Sequence, residues 1–317
     1  MAFDRTQVIQ GPAIVTFNSY TYYTEGDITV ETQRETWEPK TSIYGALTKR
    51  SASTPVTKIK FTPVGVAAAA TNYINAFTPA NIGQLLFGAT DKPVTIQTVA
   101  GKLITWSAGA ITKTPDLILS SLKMLWGEME ISTIGKKSTA LTDPAFMATI
   151  ATSAFADTSF DSSKVPSAAY QAALGTSPAS PFDAIVTQDG FTVSNNMTVN
   201  PLKIANYGTV NWVIAEVIAS VKFIPANCDD QDLWNLFQLQ GSNAIAPGGD
   251  VASLNQNLVI TGGTTPNAVS CTISNVGPDK TASRYGLAVL RAGEVELFSR
   301  KSFVSGVLQS QIALTFS

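Results

Sequence analysis

The 317-residue chain is predicted to be mainly β, built as two tandem copies of one unit. Three observations carry this reading. Thr, Val, Ile and Ser are abundant, and turn residues recur at short intervals. The segments between turns alternate apolar and polar residues with a period of two, as half-buried strands require. Ordered residue groups also recur along the chain at a nearly constant offset.

Taken in chain order, Asn18-Ser19 marks a first turn and Glu25-Gly26-Asp27 a second. Ile28, Val30, Thr32 and Arg34 then fall on one side of a strand, with Glu31, Gln33 and Glu35 on the other. Val56, Ile59 and Phe61 define a strand expected to stop at Pro63, which has no backbone N–H to give a ladder. Further turns are predicted at Ala100-Gly101-Lys102, Asp189-Gly190 and Gly262-Gly263. Helix signals are few. Thr78-Pro79 reads as a cap with proline at the first helical position, and Gly88 closes that segment. Asp229 to Phe237, ending at Gly241, reads the same way, and Pro166 to Leu174 before Gly175 is a third short helix.

The repeat divides the chain. Thr29-Val30 and Lys40…Tyr44-Gly45 match Thr192-Val193 and Lys203…Tyr207-Gly208 at an offset of 163. Lys60-Phe61-Thr62-Pro63 matches Lys222-Phe223-Ile224-Pro225 at 162, and Gly127-Glu128-Met129-Glu130-Ile131 matches Gly293-Glu294-Val295-Glu296-Leu297 at 166. Chance does not readily produce several matches in one order. A first repeat is assigned to 1–150, an Ala/Ser/Pro-rich linker to 151–181, and a second repeat to 182–317.

Composition excludes several chemistries. Histidine is absent, which removes the Ser-His-Asp, Cys-His and His-metal schemes. Cys228 and Cys271 suffice for neither a zinc site nor a disulfide framework. A net charge of −2 exerts no strong pull on nucleic acid or anionic membrane. Asp229, Asp230 and Asp232 lack calcium-loop spacing and suit a helix N-terminus. Met1 to Gln7 has no apolar core of the kind a signal peptide needs, and no run approaches the roughly 18 apolar residues of a membrane span. The expectation is a soluble protein made in a cytoplasm, not an enzyme, with no cofactor and no metal.

Specific segments resemble a known family. Gly11-Pro12-Ala13-Ile14-Val15-Thr16-Phe17 and Tyr22 to Val30 are similar to the start of tail tube proteins from long-tailed bacteriophages. Tyr44-Gly45, Lys58 to Gly65, Leu85-Leu86-Phe87-Gly88 and Lys92 to Ile96 extend the likeness. It is clearest over 11–135 and fainter in the second repeat. The resemblance implies tandem β-sandwich or barrel-like domains, each with a short flanking α-helix and a long hairpin reaching toward the next ring. It implies a virion protein that assembles with itself into stacked rings around a DNA conduit, alongside initiator and terminator proteins and a possible sheath. Type VI secretion inner-tube proteins share that implied fold. Family members carry one such domain per chain in hexameric rings, so two per chain imply a trimeric, pseudo-hexameric ring.

Two sets of residues follow. Within Glu38 to Thr57, Lys40, Ile43, Tyr44, Leu47, Lys49 and Arg50 are assigned to the stacking hairpin, with Lys203 and Tyr207 as counterparts in the second repeat. An ordinary solvated loop is the plain alternative. Glu128 and Glu130, with Glu294 and Glu296, place carboxylates on one strand face and could line the bore, where they would repel phosphate within about 8 Å. A solvated strand face, or salt bridges to Lys123, Arg291 or the basic cluster after each pair, is the competing assignment, and it is slightly favoured. Paired acids also raise a glycoside hydrolase, but a duplicated dyad is better explained as structure. A capsid decoration protein or adhesin is the other alternative; the long hairpins favour the tube.

Overall fold

The computed structural model describes residues 11–51, 55–64, 82–88, 92–120, 123–134, 148–155, 169–175, 182–205, 208–226, 235, 247, 256–263, 268–285, 290–299, 303–304, 307–308 and 311–316. The protein is mainly β. Its strands are β1 (Ala13–Phe17), β2 (Tyr20–Gln33), β3 (Thr36–Trp37), β4 (Lys40–Thr41), β5 (Gly45–Ala46), β6 (Arg50–Ser51) and β7 (Val56–Val64). There follow β8 (Val94–Thr98), β9 (Lys102–Trp106), β10 (Ala110–Lys113), β11 (Leu117–Ser120), β12 (Lys123–Trp126), β13 (Met129–Ile134) and β14 (Thr149–Thr152). The remainder are β15 (Tyr170–Leu174), β16 (Thr187–Ile204), β17 (Gly208–Pro225), β18 (Gln256–Gly262), β19 (Val269–Tyr285), β20 (Leu290–Ser299), β21 (Phe303–Val304), β22 (Val307–Leu308) and β23 (Ile312–Phe316).

Two large sheets hold the core. One runs β10-β13-β7-β2-β1-β8-β9-β14, the other β12-β11-β16-β17-β20-β19-β18-β15 with β23 beside β19. Apolar residues at alternate positions of both sheets form one continuous buried cluster, from Val15 and Phe17 to Val295 and Leu314. Asn18 and Ser19 both take left-handed φ, which suits a two-residue hairpin turn between Phe17 and Tyr20.

The pairing pattern occurs twice. Lys60 stands between Thr29 and Glu130, and Lys222 between Thr192 and Glu296. The line Val15–Ile96–Ile104–Ile150 has its counterpart in Ala172–Ile260–Cys271–Leu314. Val15 pairs Tyr22, and Ala172 bridges Ile185. Even the irregularities correspond, with a register shift between Glu25 and Thr29 on β2 and between Thr187 and Phe191 on β16.

Several sequence expectations are corrected. Glu25-Gly26-Asp27 and Asp189-Gly190 are not chain-reversing turns but bulges inside continuous strands, where left-handed glycines absorb the extra residues. Strand β7 does not stop at Pro63, which pairs Thr24 and is followed by Val64. The helix expected over 166–174 is strand β15 at 170–174, because Tyr170, Ala172 and Leu174 bury one face against β18. The described part of the helix expected at 78–88 is turn and bridge: Gly83 and Leu86 N–H groups donate to Ile214 and Trp212 carbonyls at 2.8 and 2.9 Å. Those bonds replace the i→i−4 pattern a helix would need. Of the segment 229–241 only Asn235, which is helical, lies within the described residues. The segment 151–181 carries the end of β14 and all of β15 at its two margins.

Candidate assembly surface

Between β2 and β7 the chain runs out into a double-rung extension. β3 pairs β6 through Thr36–Ser51 and Trp37–Arg50, and β4 pairs β5 through Lys40–Ala46 and Thr41–Gly45. Gly45 at φ 65 closes the tip, and the Tyr44 N–H donates to Thr41 Oγ1 at 3.0 Å. Few contacts bury it. Ile43 is 79% and Tyr44 75% exposed, and Trp37 and Leu47 are also well exposed. An isolated apolar side chain at the surface is ordinary, but four exposed ones within eleven residues of one segment suit a partner.

The cations assigned to this extension have separate settings. Lys49 pairs with Glu38 at 3.3 Å with both groups exposed, so it adds little stability. Lys40 and Arg50 are exposed on β4 and β6. Lys203 lies on β16 and forms an ion pair with Glu35, which ties the end of the β16–β17 hairpin to the root of the extension. Tyr207 lies outside the described residues. Leu202 and Ile204, near the end of β16, are half exposed.

The acids expected to line a bore are met by lysines. Glu130 is buried; its two carboxylate oxygens each accept from Lys58 Nζ at 3.1 Å, and Oε1 also accepts from Thr112 Oγ1 at 2.7 Å. Glu128 is exposed and pairs with Lys113 at 3.0 Å, and Glu296 with Lys222 at 3.5 Å. Glu294 is exposed. Lys60 pairs with Glu31 at 3.0 Å, and that hydrogen bond is the main reason its pKa is raised. Among the described residues, salt-bridge partners thus exist for three of the four acids, on β7, β10 and β17; the side chains of Lys123 and Arg291 and the basic clusters after each pair lie outside the described residues.

Trp37 was not among the residues assigned from sequence. Its place directly before the segment Glu38 to Thr57, next to charged and turn-forming neighbours, is the available signal. A second omission is the segment at 82–88. Leu85 bridges Val213, the Asn211 amide exchanges hydrogen bonds with the Phe87 backbone at 3.0 and 2.9 Å, and the Phe87 and Trp212 rings lie 5.7 Å apart. Leu86 joins Ile214, Val217, Met197 and Val199 in a satellite apolar cluster. Here the first half of the chain grips the β16–β17 hairpin.

Among the described residues, no group of three or more His, Cys, Asp or Glu could hold a metal, and no helix is long and apolar enough to cross a membrane. Neither a protein-family model nor a curated protein matches the chain.

Proposed function

We propose that the protein is a structural subunit of a bacteriophage tail tube, assembling with itself into stacked rings around a conduit for DNA. Two tandem β-sandwich or barrel-like domains, 1–150 and 182–317, would each supply one-sixth of a ring, so three chains complete a pseudo-hexamer. The observation that carries the reading is the projecting β3–β6 extension with exposed Trp37, Ile43, Tyr44 and Leu47. An apolar tip on a short two-stranded support has little to pack on within its own chain and suits a contact with the ring above or below.

The repeated strand registers favour two structurally equivalent domains, and a helix at 229–241 would flank the second. Fusing two domains makes half of the ring contacts intramolecular, which raises their effective concentration. In the virion the assembled tube would meet initiator and terminator proteins at its ends, and a sheath where the tail contracts. DNA would pass without specific binding.

Cryo-electron microscopy of assembled material, with no symmetry imposed, tests this. Hollow stacked rings of three chains per layer are expected. Six chains per layer would remove the pseudo-hexamer, and discrete particles with no bore would overturn the tube in favour of a decoration protein or adhesin.

A further inference from the structure

One contact between the two halves repeats a geometry whose second instance stands open. Strand β11 adds to the edge of β16, with Leu117 opposite Val193, Ile118 opposite Thr192 and Leu119 opposite Phe191. β11 is one arm of a hairpin with β12, paired Leu117–Trp126, Ile118–Leu125 and Leu119–Met124. The same hairpin recurs 166 residues later at the junction of β19 and β20, as Ser283–Ala292, Arg284–Arg291 and Tyr285–Leu290. The edge that receives β11 recurs as well, since Phe191, Thr192 and Val193 correspond to Ile28, Thr29 and Val30 on β2 at an offset of 163.

The two edges differ in one respect. On β16 the edge is covered, and Val193 is 2% exposed. On β2, among the described residues, no strand pairs the side of Ile28 to Val30 away from β7, and Val30 is 44% exposed. The glycines record the same difference. A Cβ on Gly190 would lie 2.2 Å from the Leu119 carbonyl oxygen, whereas a Cβ on Gly26 would meet nothing within 4 Å among the described residues. Likewise, among the described residues, no strand pairs the side of Ser283 to Tyr285 away from β20. An unpaired edge with apolar neighbours is a template for another strand.

We infer that residues 283–285 of one copy add as an antiparallel strand to Ile28–Val30 of a second copy, in the register that Leu117–Leu119 keep on Phe191–Val193. Ser283 then stands opposite Val30, Arg284 opposite Thr29 and Tyr285 opposite Ile28. The contact is heterologous, because donor and acceptor lie at different places on the chain, so repetition must either close a ring or extend a filament. Since each intermolecular step copies the intramolecular step, alternating the two advances the assembly by one equivalent unit at a time. The inference deepens the ring reading and rests on it only for closure; the strand pairing stands on the registers.

Disulfide trapping tests the register. Cα partners in an antiparallel pair lie within the range that a disulfide spans. In a Cys228→Ser background retaining buried Cys271, Thr29→Cys combined with Arg284→Cys should give covalent multimers under mild oxidation. Each single variant, and Asp27→Cys with Arg284→Cys, should give at least tenfold less. The same samples are imaged. Hollow tubes without in-register trapping would overturn this pairing while leaving the tube reading in place. In-register trapping in open filaments or unstacked rings would uphold the pairing and remove the tube. Equal trapping of in-register and shifted pairs, or none at any protein concentration, would overturn the pairing.

Discussion

The carboxylate of Glu130 takes two hydrogen bonds from Lys58, although its neighbour across the β13–β7 ladder is Lys60. Lys60 turns instead to Glu31 on the opposite side of β7. Thr112 donates to Glu130, and the Ser132 hydroxyl sits 2.7 Å from that of Thr112, which extends the buried polar chain across β10 and β13. Glu130 is thereby satisfied despite its burial, and its charge is compensated where it sits.

Replacing Glu130 should therefore expose the cost of its partners. Glu130→Gln leaves the Lys58 ammonium, itself partly buried, without its counter-charge, and should destabilise the subunit by about 1–3 kcal/mol. Glu128→Gln, whose ion pair with Lys113 is exposed, should change stability by less than about 1 kcal/mol. Denaturant melts of the two variants check the contrast; equal effects would show that the buried pair has no special weight.

Removing residues 41–52 should leave a folded subunit that no longer stacks. Ile43 and Tyr44 contribute almost nothing to the chain's own core, so the thermal midpoint should hold within a few degrees. Electron microscopy of the variant should show single rings or free subunits. Normal tubes would remove the stacking role from the extension.

Glycine substitutions should separate the occupied edge from the open one. Gly190 has φ +95 and no room for a Cβ against the Leu119 and Ser120 backbone, so Gly190→Ala should cost about 2–4 kcal/mol or displace β11. Gly26 has φ +76 and no described residue within 4 Å of a Cβ, so Gly26→Ala in the free subunit should cost only about 1–2 kcal/mol of backbone strain. Chemical denaturation of both variants measures the gap.

Alkaline pH should weaken the fold partly through Cys271. Burial pushes its thiol up to about 12 from an ordinary 9.0, so the unfolded chain loses this proton first as pH rises. The contribution is intact below pH 9 and declines toward pH 12, by roughly 1 kcal/mol per pH unit. Tyr170, also pushed up to about 12 by burial, acts in the same direction above its ordinary 10.0. Cys271→Ala should flatten the stability profile between pH 9 and 10, where the thiol titrates first; an unchanged slope there would show that other groups dominate.

The extent of what was legible follows from how locally each feature is encoded. Asn18-Ser19 announced its hairpin because two left-handed residues make a turn without outside help. The matched pairs Thr29–Lys60 and Thr192–Lys222 were visible as sequence echoes before they became ladder partners. Glu25-Gly26-Asp27 and Asp189-Gly190 read as turns because a bulge uses the same residues, and only the continuing ladder with β7 or β17 distinguishes the two. Tyr170 to Leu174 read as helix because alanine favours it locally, and the pairing with β18 overrode that preference.

What the sequence determined by itself is the β class, the two-residue alternation that makes one core, and the recurrence of one pairing scheme along the chain. A period of two sets which face of a strand is buried, and residue order sets that much without reference to distant neighbours. The tertiary structure decided which edges meet. It seated β11 on β16, laid residues 82–88 along β17, turned Glu130 to Lys58, and, among the described residues, paired no strand with β2 at Ile28 to Val30 on the side away from β7. Edge hydrogen bonds are made by backbone groups that every residue but proline carries alike, so the choice of partner lies in the assembled shape and not in any local run of side chains.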